Sequence, residues 1–183
     1  MKPNETNLIY CSTRKNVEEV AEALGIRMYH GGMSDKDRED VQNYFIKDAA
    51  PCLVATNAFG MGIDKPDVRF VVHLDLPKSM EAYYQETGRA GRDGEPAEAW
   101  MIYGLQDVVR LGQMMDQSQA PEQQKRVERH KLDALLGWCE ITECRRHGLL
   151  DYFNDHQEGN CGNCDVCLNP PDTWDATVAA QKL

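Results

Sequence analysis

Arginines set among glycines form the stretch of this sequence with the clearest chemical potential. Residues Tyr83 to Gly94 read YYQETGRAGRDG, with Arg89 and Arg92 close together in the stretch. Arginine presents a permanently charged, planar fork of donors that suits bidentate binding of a phosphate. Neighbouring glycines let the backbone bend sharply and let a ligand approach it closely. The alternative is a solvated basic loop that closes a helix, but the whole combination of residues favours phosphate binding.

The residues before the arginines are predicted to form a helix. Ser79 follows Pro77 and is a typical N-cap residue, so we expect a helix over 79–86. Gln85 and Arg89 are spaced to share one face of that helix. The sequence predicts that Arg92 lies beyond the helix end, on a flexible turn.

Cysteines crowd the last third of the chain at spacings typical of a metal site. The segment CGNCDVC at 161–167 places three thiols at steps of three, and another cysteine lies upstream near the middle of a predicted helix. Four sulfur ligands suit tetrahedral Zn²⁺ with no position left for water, so the site would be structural. The alternatives are an iron–sulfur cluster, free thiols, or Cys139 as a competing ligand from a more core-like neighbourhood. The predicted zinc ligands are Cys144, Cys161, Cys164 and Cys167.

Composition limits the class of protein. A chain of 183 residues with 42% hydrophobic residues fits one domain of ordinary size, with or without a small satellite. No apolar run approaches the roughly 20 residues of a membrane helix, and the first residues lack a signal-peptide core. We therefore expect a cytoplasmic protein with no membrane partner. The net charge of −10 argues against a uniformly basic nucleic-acid coat but leaves room for a local basic track.

Short apolar runs alternate with helical patterns over the first part of the chain, which is typical of a parallel sheet covered on both faces. Ligands of such sheets bind outside the carboxyl ends of the strands. Polar, glycine-rich segments at 12–14, 30–32 and 56–64 follow the first three runs, so we expect them to gather along one edge that carries the function. The predicted strands are 7–11, 26–29, 51–55, 70–74 and 99–103.

The chain after Leu105 has a different character, helical and charged. A break is expected at 117–121, followed by a long helix from Glu122 towards Cys139 and a second helix over 141–152. The predicted fold class is therefore α/β, a parallel-sheet lobe followed by a small helical subdomain that binds zinc.

Two groups of motifs resemble a known family. QETGRAGRDG at 85–94 and ATNAFGMGIDKPDVRFVVH at 55–73 resemble the last helicase motifs of the RecQ family of DNA helicases, and CRR at 144–146 with CGNCDVC is similar to that family's zinc-binding subdomain. RNA helicases of the same superfamily share the GRxGR pattern but lack the four-cysteine module. The resemblance runs from Asn7 to about Leu168. It implies a RecA-like lobe over 1–106, a zinc-binding subdomain over 107–170, and a tail over 171–183 that leads to a winged-helix domain outside this sequence.

The resemblance also implies roles for individual residues. Arg92 would be an arginine finger that reaches the γ-phosphate of ATP held mainly by a partner lobe, with Arg89 and Gln85 supporting it. Asp64 would contact the nucleotide ribose or the arginine loop; its alternative is a turn-forming role before Lys65. For His30 the alternative to DNA contact is a loop histidine satisfied within the protein. The implied DNA-binding residues are Ser12, Arg14, His30, Gly31, Thr56, Asn57, Arg145 and Arg146.

One departure from the family pattern limits what this chain can do alone. A helicase motor needs a P-loop, G-x-x-x-x-G-K-[ST], and an acidic motif for Mg²⁺, and neither is found in this sequence; the segment 60–65 lacks the required ending. ATP and Mg²⁺ are therefore expected only together with a first motor lobe.

The leading hypothesis from the sequence is the C-terminal motor lobe and zinc module of an ATP-dependent 3′–5′ DNA helicase. Such a protein would act on single-stranded DNA and duplex junctions in repair and recombination, in the bacterial cytosol or nucleoid. This chain would be inactive by itself. The alternatives are a stand-alone, non-catalytic DNA- or partner-binding module, and a regulator that docks in trans on another helicase's first lobe.

Overall fold

A computed structural model describes residues 4–49, 51–60, 63–174 and 176–181. They divide into two compact units, Met1–Arg129 and His130–Leu183, with the division inside a long helix. The boundaries 1–106, 107–170 and 171–183 remain predictions.

The first unit is built on a parallel sheet of five strands in the order β2-β3-β1-β4-β5. The predicted parallel α/β lobe is thereby confirmed, with the strand ends shifted slightly from their predicted positions. The elements are β1 (Thr6–Tyr10), α1 (Arg14–Leu24), β2 (Arg27–Tyr29), α2 (Asp35–Lys47), β3 (Cys52–Ala55), β4 (Val68–His73), α3 (Met80–Thr87), β5 (Glu98–Met101) and α4 (Leu105–Gln117).

The second unit is helical. Its elements are the end of α5 (Glu122–Glu140), then α6 (Arg145–Tyr152), α7 (Asp165–Leu168) and α8 (Thr177–Ala180). The expected break after α4 and the long helix that follows it are both present. Among the described residues, no helix is long and apolar enough to cross a bilayer.

The core of the sheet follows from the alternation of side chains along its strands. On one face Leu8 packs with Phe45 of α2 and with Phe59, and all three are almost fully buried. On the other face Ile9 packs with Val17 and Ala21 of α1. Because both faces of β1 are covered, its last three residues, Leu8 to Tyr10, are all apolar and buried rather than alternating.

Local signals in the sequence place several helix ends correctly. The Ser34 hydroxyl accepts the backbone N–H of Asp37 at 3.1 Å, and Ser79 accepts that of Ala82 at 3.2 Å, as N-caps do. Gly25 ends α1 in the left-handed region, with φ of 64°.

Two helix predictions are wrong. Arg89 is not helical, because α3 ends at Thr87 and Gly88 caps it, so Gln85 and Arg89 do not share a helix face. Cys144 does not lie in the middle of a helix: it is the N-cap of α6, which begins at Arg145. In both cases a turn occupies residues that the sequence pattern assigns to a helix. The turn follows Thr87 at the end of α3 and precedes Arg145 at the start of α6.

The expectation that all polar segments gather at one edge of the sheet is also only partly right. Residues 12–14, 30–31 and 56–57 follow β1, β2 and β3, whose last residues are in register and adjacent in the sheet. Asp64, however, precedes the first residue of β4. Because a connection between parallel strands must return to the opposite edge of the sheet, Asp64 lies towards the amino edge, whereas residues 56–57 lie at the carboxyl edge.

Candidate functional site

The loop that follows α3, residues 88–94 and here called the arginine loop, lies beside the start of β4. The Gly91 N–H donates to the Val68 carbonyl at 2.9 Å. Gly91 has a φ of 63°, and an added Cβ there would lie 2.9 Å from the Glu95 carbonyl. Glycine is therefore required for this close approach. The loop is at the amino edge of the sheet, opposite the residues that follow β1, β2 and β3.

Arg89 is turned inward and bound to the protein backbone. Its Nη1 donates to the carbonyl of Gly60 at 2.8 Å. Gly60 has a φ of 129°, and a Cβ at this position would overlap the Arg89 guanidinium. Because Gly60 has no side chain, the Arg89 guanidinium fits against its backbone. This contact joins the arginine loop to the residues that follow β3.

Arg92 is turned outward. Its Nη1 lies 3.0 Å from an oxygen of Asp64, and its Nε donates to the Gly88 carbonyl at 3.2 Å. The side chains of Arg92 and Asp64 are 40% and 83% exposed. Ion pairs as exposed as this contribute about 0–1 kcal/mol, so an external phosphate can replace Asp64 as the partner of Arg92 at small cost.

A buried polar cluster attaches α3 to the sheet behind these arginines. His73 Nε2 lies 2.7 Å from a carboxylate oxygen of Glu86; the His73 side chain is buried and that of Glu86 is 12% exposed. The Tyr10 ring stacks on His73 with centroids 5.3 Å apart, and its hydroxyl donates to the Phe59 carbonyl. Burial raises the pKa of Tyr10 and keeps the phenol neutral. Gln85, one residue before Glu86, is exposed.

The carboxyl edge of the sheet carries the residues predicted to bind DNA from this unit. Ser12, Arg14, Gly31 and Asn57 are exposed there, whereas the Thr56 side chain is buried. The Arg14 guanidinium passes over the glycines: a Cβ on Gly32 would lie 3.0 Å from its Nη1. The structure therefore brings hydroxyl, guanidinium, amide and backbone groups into one row.

His30 lies within this row but beneath its surface. The Gly32 N–H donates to Nδ1 at 3.1 Å, and Nε2 lies 3.3 Å from a carboxylate oxygen of Glu18. The residue is 5% exposed. Both ring nitrogens thus face protein atoms, and the outer surface of this loop is formed by the glycines.

A carboxylate that sequence reasoning missed organises the same edge. Asp75, 6% exposed, accepts the Ser12 N–H at 2.8 Å, an Asn16 amide N–H at 3.1 Å, and a bond from Arg110 of α4. Arg110 also donates to the Ser12 hydroxyl at 2.9 Å. Burial alone would raise the pKa of Asp75, but these hydrogen bonds outweigh it and lower that pKa. The signal for Asp75 in the sequence was its position just after the apolar run that forms β4.

The second unit contains a cluster of four cysteines. The Sγ atoms of Cys144, Cys161, Cys164 and Cys167 all lie within 4.8 Å of one another, and those of Cys161 and Cys167 are 3.9 Å apart. A tetrahedral zinc ion with Zn–S bonds of about 2.3 Å requires sulfurs about 3.8 Å apart. The four residues therefore fit zinc, as predicted, and Cys139 is not in the cluster.

Local backbone geometry directs N–H groups at two of these sulfurs. Cys144 and Cys164 cap α6 and α7, and the N–H groups of Cys161 and Cys167 point at their sulfurs at 3.3 and 3.4 Å. Burial raises the pKa of Cys144, but backbone hydrogen bonds outweigh burial and bring it to about 6. Gly162 has a φ of 70°, which allows the tight turn between ligands.

The two arginines after Cys144 have different surroundings. Arg145 donates to both oxygens of Asp165 and to the carbonyls of Trp138 and Cys139 at the end of α5. Arg146 is exposed. Arg145 thus connects α5, α6 and α7 around the cysteine cluster, and Arg146 faces outward.

Comparison with known proteins gives matches over almost the whole chain. The model of the helicase conserved C-terminal domain matches residues 1–94, and the model of the RecQ zinc-binding domain matches residues 105–168. ATP-dependent DNA helicases RecQ from Haemophilus influenzae and Bacillus subtilis are 46% and 38% identical over 98% of this chain. The chain spans about 30% of the length of these relatives.

Solved structures with the same fold are helicase lobes. The Escherichia coli DEAD-box protein SrmB, solved bound to regulator of ribonuclease activity A, is 28% identical, with a TM-score of 0.52 over 66% of this chain and 74% of that chain. Domain 2 of the DEAD-box helicase Mss116p, solved with an RNA duplex, has a TM-score of 0.52 at 24% identity over 68% of this chain and 56% of that chain, which shows the fold alone. From its RecA-like sheet, its four-cysteine cluster and the two successive domain matches, this chain belongs to the RecQ family of helicases and carries their conserved C-terminal helicase domain and zinc-binding domain.

Proposed function

We propose that this chain supplies the second half of the ATP site and part of the single-stranded DNA track of an ATP-dependent DNA helicase. The observation that carries the proposal is Arg92, an exposed guanidinium held only weakly by Asp64 in a sequence that has no P-loop. An outward-facing arginine with an exchangeable partner suits a composite site whose nucleotide is held by another lobe.

In this proposal Arg92 is the arginine finger. It exchanges Asp64 for the γ-phosphate oxygens and stabilises the charge that develops on them during hydrolysis, an effect worth roughly 10³–10⁵ in rate in comparable enzymes. Arg89 holds the loop to the Gly60 carbonyl, and Gln85, exposed on α3, couples nucleotide state to closure of the lobes. Asp64 keeps the finger oriented when no nucleotide is bound.

The row at the carboxyl edge is proposed as the DNA track. Ser12, Arg14, Gly31 and Asn57 are exposed along it and offer donors to phosphate oxygens, which bind a strand independently of its sequence. Thr56 and His30 lie beneath the row and support its loops. In the second unit, Arg146 contacts phosphate. Arg145 contributes indirectly, by holding α5, α6 and α7 together around the cysteine cluster.

Zinc is proposed to be structural. The four thiolates would complete its coordination, leaving no open position for substrate or water, so the metal would stabilise the fold of residues 144–167. The intact helicase would bind single-stranded DNA and duplex junctions and would unwind duplexes in the 3′–5′ direction, in DNA repair and recombination, in the bacterial cytosol or nucleoid. The bacterial origin of the relatives named above supports the proposal of a bacterial setting.

The experiment compares this chain alone with a chimera in which it replaces the matching segment of the Haemophilus influenzae helicase. We expect DNA-stimulated ATP hydrolysis from the chimera and none above background from the chain alone. Hydrolysis by the purified chain alone, lost on Arg92→Ala, would refute the composite site. A chimera that folds and binds DNA but never hydrolyses ATP would favour the non-catalytic binding module.

A further inference from the structure

Arg92 sits between two neighbours that are each tied to the body of the lobe. On its N-terminal side, Arg89 is bound to Gly60. On its C-terminal side, Asp93 is bound to Arg69, the second residue of β4. Arg69 Nη1 lies 3.0 Å from Asp93 Oδ1, and its Nη2 contacts the other carboxylate oxygen. The pair is therefore bidentate, the arrangement that fixes direction as well as distance.

Further hydrogen bonds fix the orientation of Asp93. The Asp93 N–H donates to the Pro66 carbonyl at 3.3 Å, and Asp93 Oδ1 also accepts the Glu95 N–H at 3.1 Å. The side chains of Arg69 and Asp93 are only 19% and 28% exposed, in contrast to the open pair of Arg92 and Asp64. The hydrogen bonds from Arg69 lower the pKa of Asp93, so the carboxylate stays charged at neutral pH.

We infer that Arg69 and Asp93 are positioning residues that hold the arginine loop so that Arg92 projects towards the nucleotide. Neither side chain is placed to contact the nucleotide in this account. They act through Arg92, because Asp93 is the next residue, its carboxylate is bound to Arg69 of β4, and its backbone is bound to Pro66 just before that strand. The inference rests on the proposed function of Arg92 and deepens it.

The expected size of the effect follows from the geometry. Without the pair, the arginine loop keeps the backbone bonds of Gly91 to Val68 and of Asp93 to Pro66, together with the exposed contacts of Arg92 itself. Misplacement of a catalytic group by about 1 Å can reduce a rate on the order of 100-fold. We therefore expect the kcat for ATP hydrolysis to fall roughly 10- to 100-fold when Arg69 is lost, with little change in nucleotide binding.

The test uses Arg69→Met and Asp93→Asn in the chimera, because the asparagine keeps the size of the aspartate and is the milder change. The control is Arg38→Met, which breaks a similarly close pair with Asp35 on the exposed side of α2. We expect lower kcat for both test variants, with ATP and single-stranded DNA affinities within about threefold of the parent, and no effect of the control.

The decisive measurement is the double variant. If Arg69 acts through Arg92, Arg69→Met should cause no further loss of turnover in an Arg92→Ala background. An equal loss in that background, or undiminished kcat in a folded Arg69→Met or Asp93→Asn variant, would overturn the inference. If Arg92→Ala alone retained full turnover, the proposed function itself would fail, which is a distinguishable result.

Discussion

Adding one methyl group at Gly60 should break a contact of the arginine loop. In Gly60→Ala the new Cβ would overlap the guanidinium of Arg89. Arg89 would have to leave the Gly60 carbonyl, to which it now donates at 2.8 Å. Because the arginine side chain is flexible, the lobe should stay folded while losing this link.

The cost has two parts. A side chain at a φ of 129° places the backbone in a sparsely populated region, at about 1–3 kcal/mol. Losing a hydrogen bond from a charged donor costs about 1.5–3 kcal/mol. We therefore expect Gly60→Ala to lower the free energy of unfolding of the first unit by about 2.5–6 kcal/mol.

Hydrogen exchange of the β1 and β4 amides, followed by mass spectrometry, reports on this unit separately from the zinc unit. The control is Gly25→Ala, where φ is 64° and no atom lies within 4 Å of the added Cβ, so it should cost only about 1–2 kcal/mol of backbone strain. In an Arg89→Met background, Gly60→Ala should cost strain alone. Equal costs for Gly60→Ala with and without Arg89 would show that loss of the Arg89–Gly60 hydrogen bond is not part of the effect.

Three further predictions concern the zinc site and the carboxyl edge. Cys164→Ser should release zinc, measured by metal analysis, and unfold the second unit; one zinc per chain in a folded variant would contradict the site. Asp75→Asn should speed exchange at β1 and β4, because Ser12 and Arg110 would face a neutral amide. Since folding lowers the pKa of Asp75, its stabilising contribution should be present above the unfolded pKa of about 3.9. It should be lost as the pH falls through the lower folded value, and an unchanged acid transition in Asp75→Asn would contradict this assignment.

The sequence predicted what local pattern and spacing determine. The strands, the cap at Ser79 and the clustering of the four cysteines could be predicted because each depends on neighbouring residues. The cysteine spacing was informative because a tetrahedral metal admits few arrangements of its ligands. The hydrophobic pattern predicted a parallel sheet and the order of strands and helices along the chain. It did not predict the exact ends of α3 and α6.

Long-range polar contacts could not be predicted in this way. Arg69 and Asp93 are 24 residues apart, and Asp75 and Arg110 are 35 apart. No local spacing indicates such pairs, since they depend on how β4 lies beside the arginine loop and α4. The position of Asp64 at the amino edge likewise required knowing where the segment after β3 ends.

Whether Arg92 acts on a nucleotide held by another lobe is decided by comparing turnover with ATP affinity. In the chimera, the kcat for DNA-stimulated hydrolysis and the equilibrium Kd for ATP are measured for the parent and for Arg92→Ala. We expect kcat to fall by roughly 10³-fold or more while the Kd changes little, because an arginine finger acts in the transition state. A Kd that rises as much as kcat falls would instead make Arg92 a ground-state ligand and contradict the claim.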